Sequence, residues 1–477
     1  MAKEKIEKKD KNKMSKRQFR LFWIIILASF FEGLDDSLVN IALPYIGLTF
    51  GFSEHGSRIA ENGEIINEII VNPTIATTLL AVIGIGTVVA FLMSRLADRV
   101  GRRPVFLWCV YGYSICSLGT AFVSMPFILD PSVGIYAFVF LQFVARIFLI
   151  GCWSVGYVIL CEEFDAQNRG FATGRFQLAA VFGGLAVGIL IMFFIPAGTI
   201  DGFGWQWLYV IGAIPLIPVF FLRKWLPETK AFLQRQEGLA NGTIKEDVRF
   251  TEVLKKPHRK YLIIMSVVWF FFYFGIKGQL NLFSTRVVED LQWVPSDITI
   301  AVASATIIGI FIIALNGKLL DILGRKKAAL LIVLVGVCMS FLTFMSTDKV
   351  AIIVFNVVAT GCLNSFLMIG STITNELFPT KIRSSAMAWA NNIFGRVGQI
   401  IVPLFVGALV AGSVGGIALG FSLSWGHALA IAMLLPLISL TLIMVFIPET
   451  SRRSIEDIDG QSQETAEVSQ DSSNNNQ

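Results

Sequence analysis

The chain has 477 residues, of which 55% are hydrophobic and only 15% charged, with a formal net charge of +5 and a mean hydropathy of +0.68. A soluble multidomain protein of this length carries far more charge, so the composition excludes one and places the chain in a lipid bilayer. The excess of base gathers in loops between apolar runs and therefore implies no nucleic-acid partner.

A span needs roughly 20 mainly apolar residues, which gives the chain room for about a dozen. Residues 1–20 carry nine Lys or Arg against three acids and precede an apolar run at 21–46. That run is too long for a signal-peptide core and no small-residue cleavage pattern follows it, so it reads as a retained first span. A hydrophilic loop over 51–72 comes next, holding Glu54, Glu61, Glu64 and Glu68 against a single Arg58. Base before the span and acid after it predict a cytoplasmic N-terminus. Further spans are expected at 74–94, 104–124, 134–160, 170–195 and 204–225. After a polar stretch the pattern repeats at 261–285, 298–319, 328–346, 350–374, 384–411 and 424–447.

The expected division is thus a basic cytoplasmic N-terminus over 1–20, a six-span half over 21–225, a cytoplasmic central loop over 226–260, a second six-span half over 261–448 and a cytoplasmic tail over 449–477. The Gln-, Ser- and Asn-rich tail has nothing to bury and is expected to be mostly disordered. In this orientation the basic clusters 95–103, 223–260, 318–327, 381–383 and 452–453 all fall inside, whereas Asp130, Asp201, Glu289, Asp290 and Asp297 fall outside. The six cysteines lie in or at the ends of apolar runs without CxxC spacing and read as buried thiols, not disulfides or metal ligands. Neither His-rich metal spacing, nor a phosphate-cradling loop, nor a nucleophile elbow occurs, so no metal, cofactor or enzymatic activity is expected.

The halves echo one another. Ser94-Arg-Leu-Ala-Asp98-Arg99-Val-Gly101-Arg102-Arg103-Pro104 returns as Gly317-Lys-Leu-Leu-Asp321-Ile-Leu-Gly324-Arg325-Lys326. Glu162 and Arg169 have the spacing of Glu376 and Arg383, and Pro227-Glu228-Thr229 closes the sixth span as Pro448-Glu449-Thr450 closes the twelfth. On these paired motifs the chain resembles the major facilitator superfamily along nearly its whole length, most closely the sugar-porter and metabolite:proton symporter branches. The resemblance implies an all-α membrane protein of twelve transmembrane helices in two pseudo-symmetric six-helix bundles, working as a monomer in the plasma membrane. It also implies that the repeated turns form a cytoplasmic gate that locks the halves together and opens during transport. Gly101 and Gly324 suit tight turns because glycine tolerates positive φ. Asp98 and Asp321 end helices whose carbonyl termini do not favour them, so they are expected to serve a neighbouring helix. One departure is Ser94, where the family usually has glycine.

Charge inside the membrane is costly and marks function. The first span reads Phe31-Glu32-Gly-Leu-Asp35-Asp36-Ser-Leu-Val-Asn40, which puts Glu32, Asp35 or Asp36, and Asn40 on one helical stripe facing a polar cavity. Leu34-Asp35 through Pro44 is also similar to the first span of drug:proton antiporters, but the fifth span, with Gly174, Gly183, Gly184 and Gly188, lacks their Gly-Pro element. Arg146, Lys277 and Arg396 lie at similar depth and must pair with these acids or await an anionic substrate. Arg146 matches the family's fourth-span arginine, and Gly395-Arg396 through Pro403 is similar to eleventh-span segments of organic-acid symporters. A carboxylate in a desolvated cavity can hold a proton that a neighbouring cation drives off again, which is what coupling requires. Glu32, Asp35, Asp36 and Arg146 are therefore the candidates for proton coupling, with Asp35 or Asp36 as carrier. Asn40, Lys277, Gln279, Asn281 and Arg396 are the candidates for substrate contact. The seventh span lacks the doubled Gln of sugar porters. The expected function is proton symport of a small organic anion by alternating access. A sugar or polyol porter of the same fold, and a receptor that binds solute without moving it, are the alternatives.

Overall fold

The computed structural model describes residues 15–449 except 60–64, 126–129, 165, 195–203, 216, 218–225, 227, 230–231, 235, 238–240, 242–251, 256–257, 415–416 and 419. The side chains of 16, 55–69, 166–171, 321, 380, 381 and 384 also lie outside the description. The described residues are mostly helical. Its helices are α1 (Lys16–Phe50), α2 (Pro73–Val100, irregular at Ala90), α3 (Arg102–Val123), α4 (Pro131–Glu163), α5 (Ala166–Phe194) and the short α6 (Gln206–Gly212) in the first half. The second half holds α7 (Arg259–Glu289), α8 (Pro295–Leu323), α9 (Arg325–Met345), α10 (Lys349–Leu377), α11 (Ser385–Ala411) and α12 (Trp425–Phe446).

Among the described residues, ten of these helices are long and apolar enough to cross a bilayer. The two others complete a pattern of twelve. α1 is long enough but carries three acids in its middle third, and α6 is described only as far as the turns at 213–215, with most of the predicted 204–225 span beyond them outside the description.

The starts of the helices are written in the sequence. Ser15, Asn72, Asp130, Asp348 and Ser424 each accept a hydrogen bond from a backbone N–H of the helical turn they precede. Pro73 and Pro131 then stand where a missing N–H costs nothing. Two departures from an all-helical reading lie in loops. The segment expected as a plain hydrophilic loop holds an antiparallel hairpin, β1 (Ser53–Ile59) paired with β2 (Ile65–Val71). β2 is rich in the β-branched residues Ile65, Ile66, Ile69, Ile70 and Val71, which favour a strand even beside acids. A two-residue pair, β3 (Ser413–Val414) and β4 (Ile417–Ala418), joins α11 to α12.

Packing repeats between the halves. α1 lies on α5 and α4 as α7 lies on α11 and α10; α3 packs on α4 as α9 packs on α10; and α2 meets α4 as α8 meets α10. The halves touch along α2–α11, α5–α8 and α1–α7. Several of these contacts lie toward the face that bears the β-hairpin: Thr299 Oγ1 donates to the Gly188 carbonyl, the Val71 N–H donates to Glu289, and Gly407 sits against Thr77. These contacts tie the halves together at the hairpin face.

Candidate functional site

Helical geometry decides where the acids of α1 point. Successive residues are rotated by about 100°, so Asp36 and Asn40 lie within about 40° of one another while Asp35 is turned about 100° away from Asp36. Asp36 faces the gap between the halves. One carboxylate oxygen pairs with Arg146 Nη1 from α4, and the other is 3.5 Å from Lys277 Nζ on α7. A single carboxylate thus joins a cation of the first half to a cation of the second. Asp35, 1% exposed, turns into the first half, where its Oδ1 accepts a hydrogen bond of 2.8 Å from Ser117 Oγ on α3. Its Oδ2 has no hydrogen-bond partner, nor has Oε2 of the buried Glu32.

Between the halves lies a cavity of about 320 Å³, its open mouth included. Asn40, Thr87 and Arg146 line it from one half, and Lys277, Asn281 and Gln399 from the other. Gln399 also reaches across to donate to Thr87 Oγ1, and the Oδ1 of Asn281 is buried without a partner. Asn40 is anchored by its Nδ2, which donates to the Asp36 carbonyl at 3.0 Å.

Arg396 is 7% exposed and stacks over the Tyr273 ring at 5.7 Å. Its Nε has no hydrogen-bond partner, and no carboxylate among the described residues lies within ion-pair distance of it. The stretch just before it, Ala388–Gly395, is π-helical. A π turn holds more residues than an α turn, so it rotates the helix beyond it; such turns recur at functional sites.

Gln279 departs from expectation. Rather than facing a substrate it is buried in the second half, where its Nε2 donates to Asn356 Oδ1 at 2.8 Å, and it is absent from the cavity wall. Gln399, Thr87, Ser117 and Tyr273 are site residues that sequence reasoning misses. Gln399 follows Arg396 by one helical turn, a spacing that could have revealed it; Ser117 and Thr87 are small hydroxyls in apolar runs and give no signal.

The repeated turns are built alike. Gly101 (φ 120°) and Gly324 (φ 85°) have the positive φ that the spacing predicts. Each turn opens a helix whose first N–H groups are capped by the glutamate of a Pro-Glu-Thr end. Glu228 accepts from Arg102 N at 3.0 Å and Arg103 N at 3.2 Å; Glu449 accepts from Arg325 N at 2.9 Å and Lys326 N at 3.1 Å. Arg102 pairs with Glu162 at 3.1 Å and donates to the Ala97 carbonyl, while Arg325 pairs with Glu376 at 2.8 Å and donates to the Leu320 carbonyl. Asp98 pairs with Arg102, one turn along in its own half, at 3.1 Å. Arg383 donates to the Phe378 carbonyl close by in its own half. These contacts are clamps within each half. Of the other expected gate members, Arg99 and Gly317 lie on the helices that lead into the turns, and the side chains of Arg169 and Asp321 lie outside the described residues.

Two pseudo-symmetric helical bundles enclosing a buried, charged cavity at their seam are the build of a carrier that moves solutes across a membrane. A family model described as Major Facilitator Superfamily matches residues 25–288 and 279–470. The chain belongs to that superfamily and is a transporter, not an enzyme. Among curated proteins it is similar to the niacin transporter NiaP of Acinetobacter baylyi, 26% identical over 82% of this chain and 87% of that one. It is similar also to the gallate transporter of Pseudomonas putida, 24% identical over 84% of this chain and 87% of the relative. Among solved structures it resembles the inward-open xylose transporter XylE from Escherichia coli with a TM-score of 0.70 at 16% identity, covering 93% of this chain and 99% of XylE.

Proposed function

We propose that the protein takes up a small organic anion together with a proton by alternating access. The observation that carries this reading is Asp36, whose carboxylate bridges Arg146 and Lys277 across the seam. Three acids, Glu32, Asp35 and Asp36, and three cations, Arg146, Lys277 and Arg396, meet at mid-depth, so the site is neutral with all six charged. Adding an anion alone would leave a net charge buried in hydrocarbon, which is costly. Adding an anion and a proton restores neutrality. The one coupled proton is held by Asp35 or Asp36 in turn; on the Asp36 carboxylate it releases Arg146 and Lys277 to a substrate carboxylate, and the acid and the substrate then compete for the same cations. Arg396, buried over an aromatic ring and without a carboxylate of its own, supplies a further anchor for the anion.

The names of the relatives agree with such a cargo, since niacin and gallate both carry a carboxylate. The repeated basic turns and both termini face the cytoplasm of a plasma membrane, in keeping with the gathering of Lys and Arg on one face. With the halves tied together at the hairpin face, the cavity is served from the cytoplasmic side. Each chain holds the entire site and acts as a monomer.

Uptake of radiolabelled nicotinate or gallate into vesicles under an imposed pH gradient tests the reading. Accumulation that collapses with the gradient supports it; binding of either acid without flux would sink it.

A further inference from the structure

We propose that Ser117 is a two-position hydroxyl through which the protonation state of Asp35 is passed to the backbone of α6, a role that rests on the proton-coupled reading above. Ser117 Oγ has a single hydrogen and two acceptors within reach. One is Asp35 Oδ1 at 2.8 Å, the other the Tyr209 carbonyl at 3.0 Å. Ser117 is fully buried and Asp35 nearly so, so no bulk water supplies a replacement donor.

The hydrogen therefore goes to one acceptor or the other, and the charge on Asp35 decides which. An ionised Asp35 is acceptor-only and draws the Ser117 hydrogen, because a hydrogen bond to a charged oxygen is the stronger of the two. A proton taken up on the Asp35 carboxyl makes that group a donor. Its O–H then points to Ser117 Oγ, and the Ser117 hydrogen moves to the Tyr209 carbonyl. One proton arrives and forms the Asp35 O–H, no covalent bond to carbon changes, the Asp35–Ser117 hydrogen bond reverses direction, and one hydrogen bond to the Tyr209 carbonyl of α6 is gained.

The receiving carbonyl sits where such a change can matter. Tyr209 O already accepts from Ala213 N at 3.1 Å, and the helix gives way to turns at 213–215, where Pro215 offers no N–H to continue it. Gly212 keeps the space open. A Cβ there would lie 3.0 Å from Ser117 Oγ and 3.1 Å from Asp35 Oδ1, tighter than side chains ordinarily pack.

The ionisable groups around Asp35 are Arg146 from α4, Tyr113 and Cys116 from α3, Tyr209 from α6, and Glu32 and Asp36 on α1 itself. α5, which also packs on α1, is uncharged from 176 to 194, and Lys277 of α7 faces Asp36 instead. Ser117 is thus a positioning residue, acting through Asp35 rather than on substrate.

The test is infrared difference spectroscopy of the full-length protein in lipid, stepped between high and low pH. The expected result is a protonated-carboxyl band that Asp35→Asn removes, that Ser117→Ala moves to a higher stretching frequency through loss of its partner, and that Ser117→Thr restores. A band unmoved by Ser117→Ala would overturn the proposal. In vesicles, Ser117→Ala should lower the ratio of pH-driven nicotinate accumulation to nicotinate exchange about tenfold, as loss of one charge-assisted hydrogen bond implies, with Ser117→Thr close to wild type. An unchanged ratio would also overturn it. Failure of wild-type vesicles to move nicotinate or gallate at all would strike the proposed function instead, and the infrared arm would still decide the switch.

Discussion

The two halves share an architecture and divide the chemistry. Each folds its repeated turn the same way, with a glutamate capping the new helix and an arginine held by a second glutamate. At mid-membrane they diverge. The first half supplies all three acids and Arg146, whereas the second supplies Lys277, Arg396 and the amides Asn281 and Gln399. The turns follow from what every such bundle needs, a stable basic rim. At the seam, Asp36 pairs with a cation of each half.

Breaking that bridge should have the largest effect. Asp36→Asn leaves Arg146 and Lys277 without their carboxylate at the cavity. Proton-driven accumulation in vesicles should fall at least a hundredfold. Asp35→Asn should also abolish it, but with Arg146 and Lys277 still paired, so nicotinate binding by the purified protein should survive better in Asp35→Asn than in Asp36→Asn. Equal loss in both variants would erase the distinction between the two acids.

Next in size is the substrate side. Arg396→Ala removes a charged donor and should raise the KM for the anion by about tenfold to a hundredfold, equivalent to about 1.5–3 kcal/mol. Arg396→Lys should recover only part of this, because an ammonium neither stacks on Tyr273 nor presents a planar fork.

The turns should matter less to transport chemistry and more to stability. Glu228→Gln and Glu449→Gln should each cost about 1 kcal/mol in thermal unfolding of the purified protein, the scale of a helix cap. The two losses should match, since the geometry does. Smallest of all, Gln279→Met should leave the KM for nicotinate within about twofold if Gln279 serves Asn356 rather than the cargo. A large KM change would return it to the binding surface.

Much of the fold can be read from the chain because hydrocarbon demands long apolar runs and the caps announce themselves. Apart from α6, whose expected span lies mostly outside the described residues, the helices begin and end within a few residues of the expected spans, for example Arg325–Met345 against 328–346 and Lys349–Leu377 against 350–374. The hairpin is hidden because its acids suggest a solvated loop while the Ile residues of β2 carry the strand signal. At the site, spacing points to a charged stripe on α1 but leaves Asp35 and Asp36 equivalent. They are one residue apart, and that single rotation sends one to the seam and the other to Ser117. Gln279 shows the reverse. It lies two residues from Lys277 on the same helix, yet depth alone cannot reveal that it faces Asn356. Gln399 escapes notice because an amide in an apolar run carries little weight until its neighbour across the seam is known.

Charge balance at the seam is the centre of the proposed mechanism, and its most direct test separates voltage from pH. Vesicles holding the protein are given a pH gradient with the membrane potential clamped at zero, or a potential with no pH gradient, and uptake of radiolabelled nicotinate, a monoanion, is followed. One proton per carboxylate predicts accumulation driven by the pH gradient and indifferent to voltage. Accumulation driven by voltage without a pH gradient would contradict it.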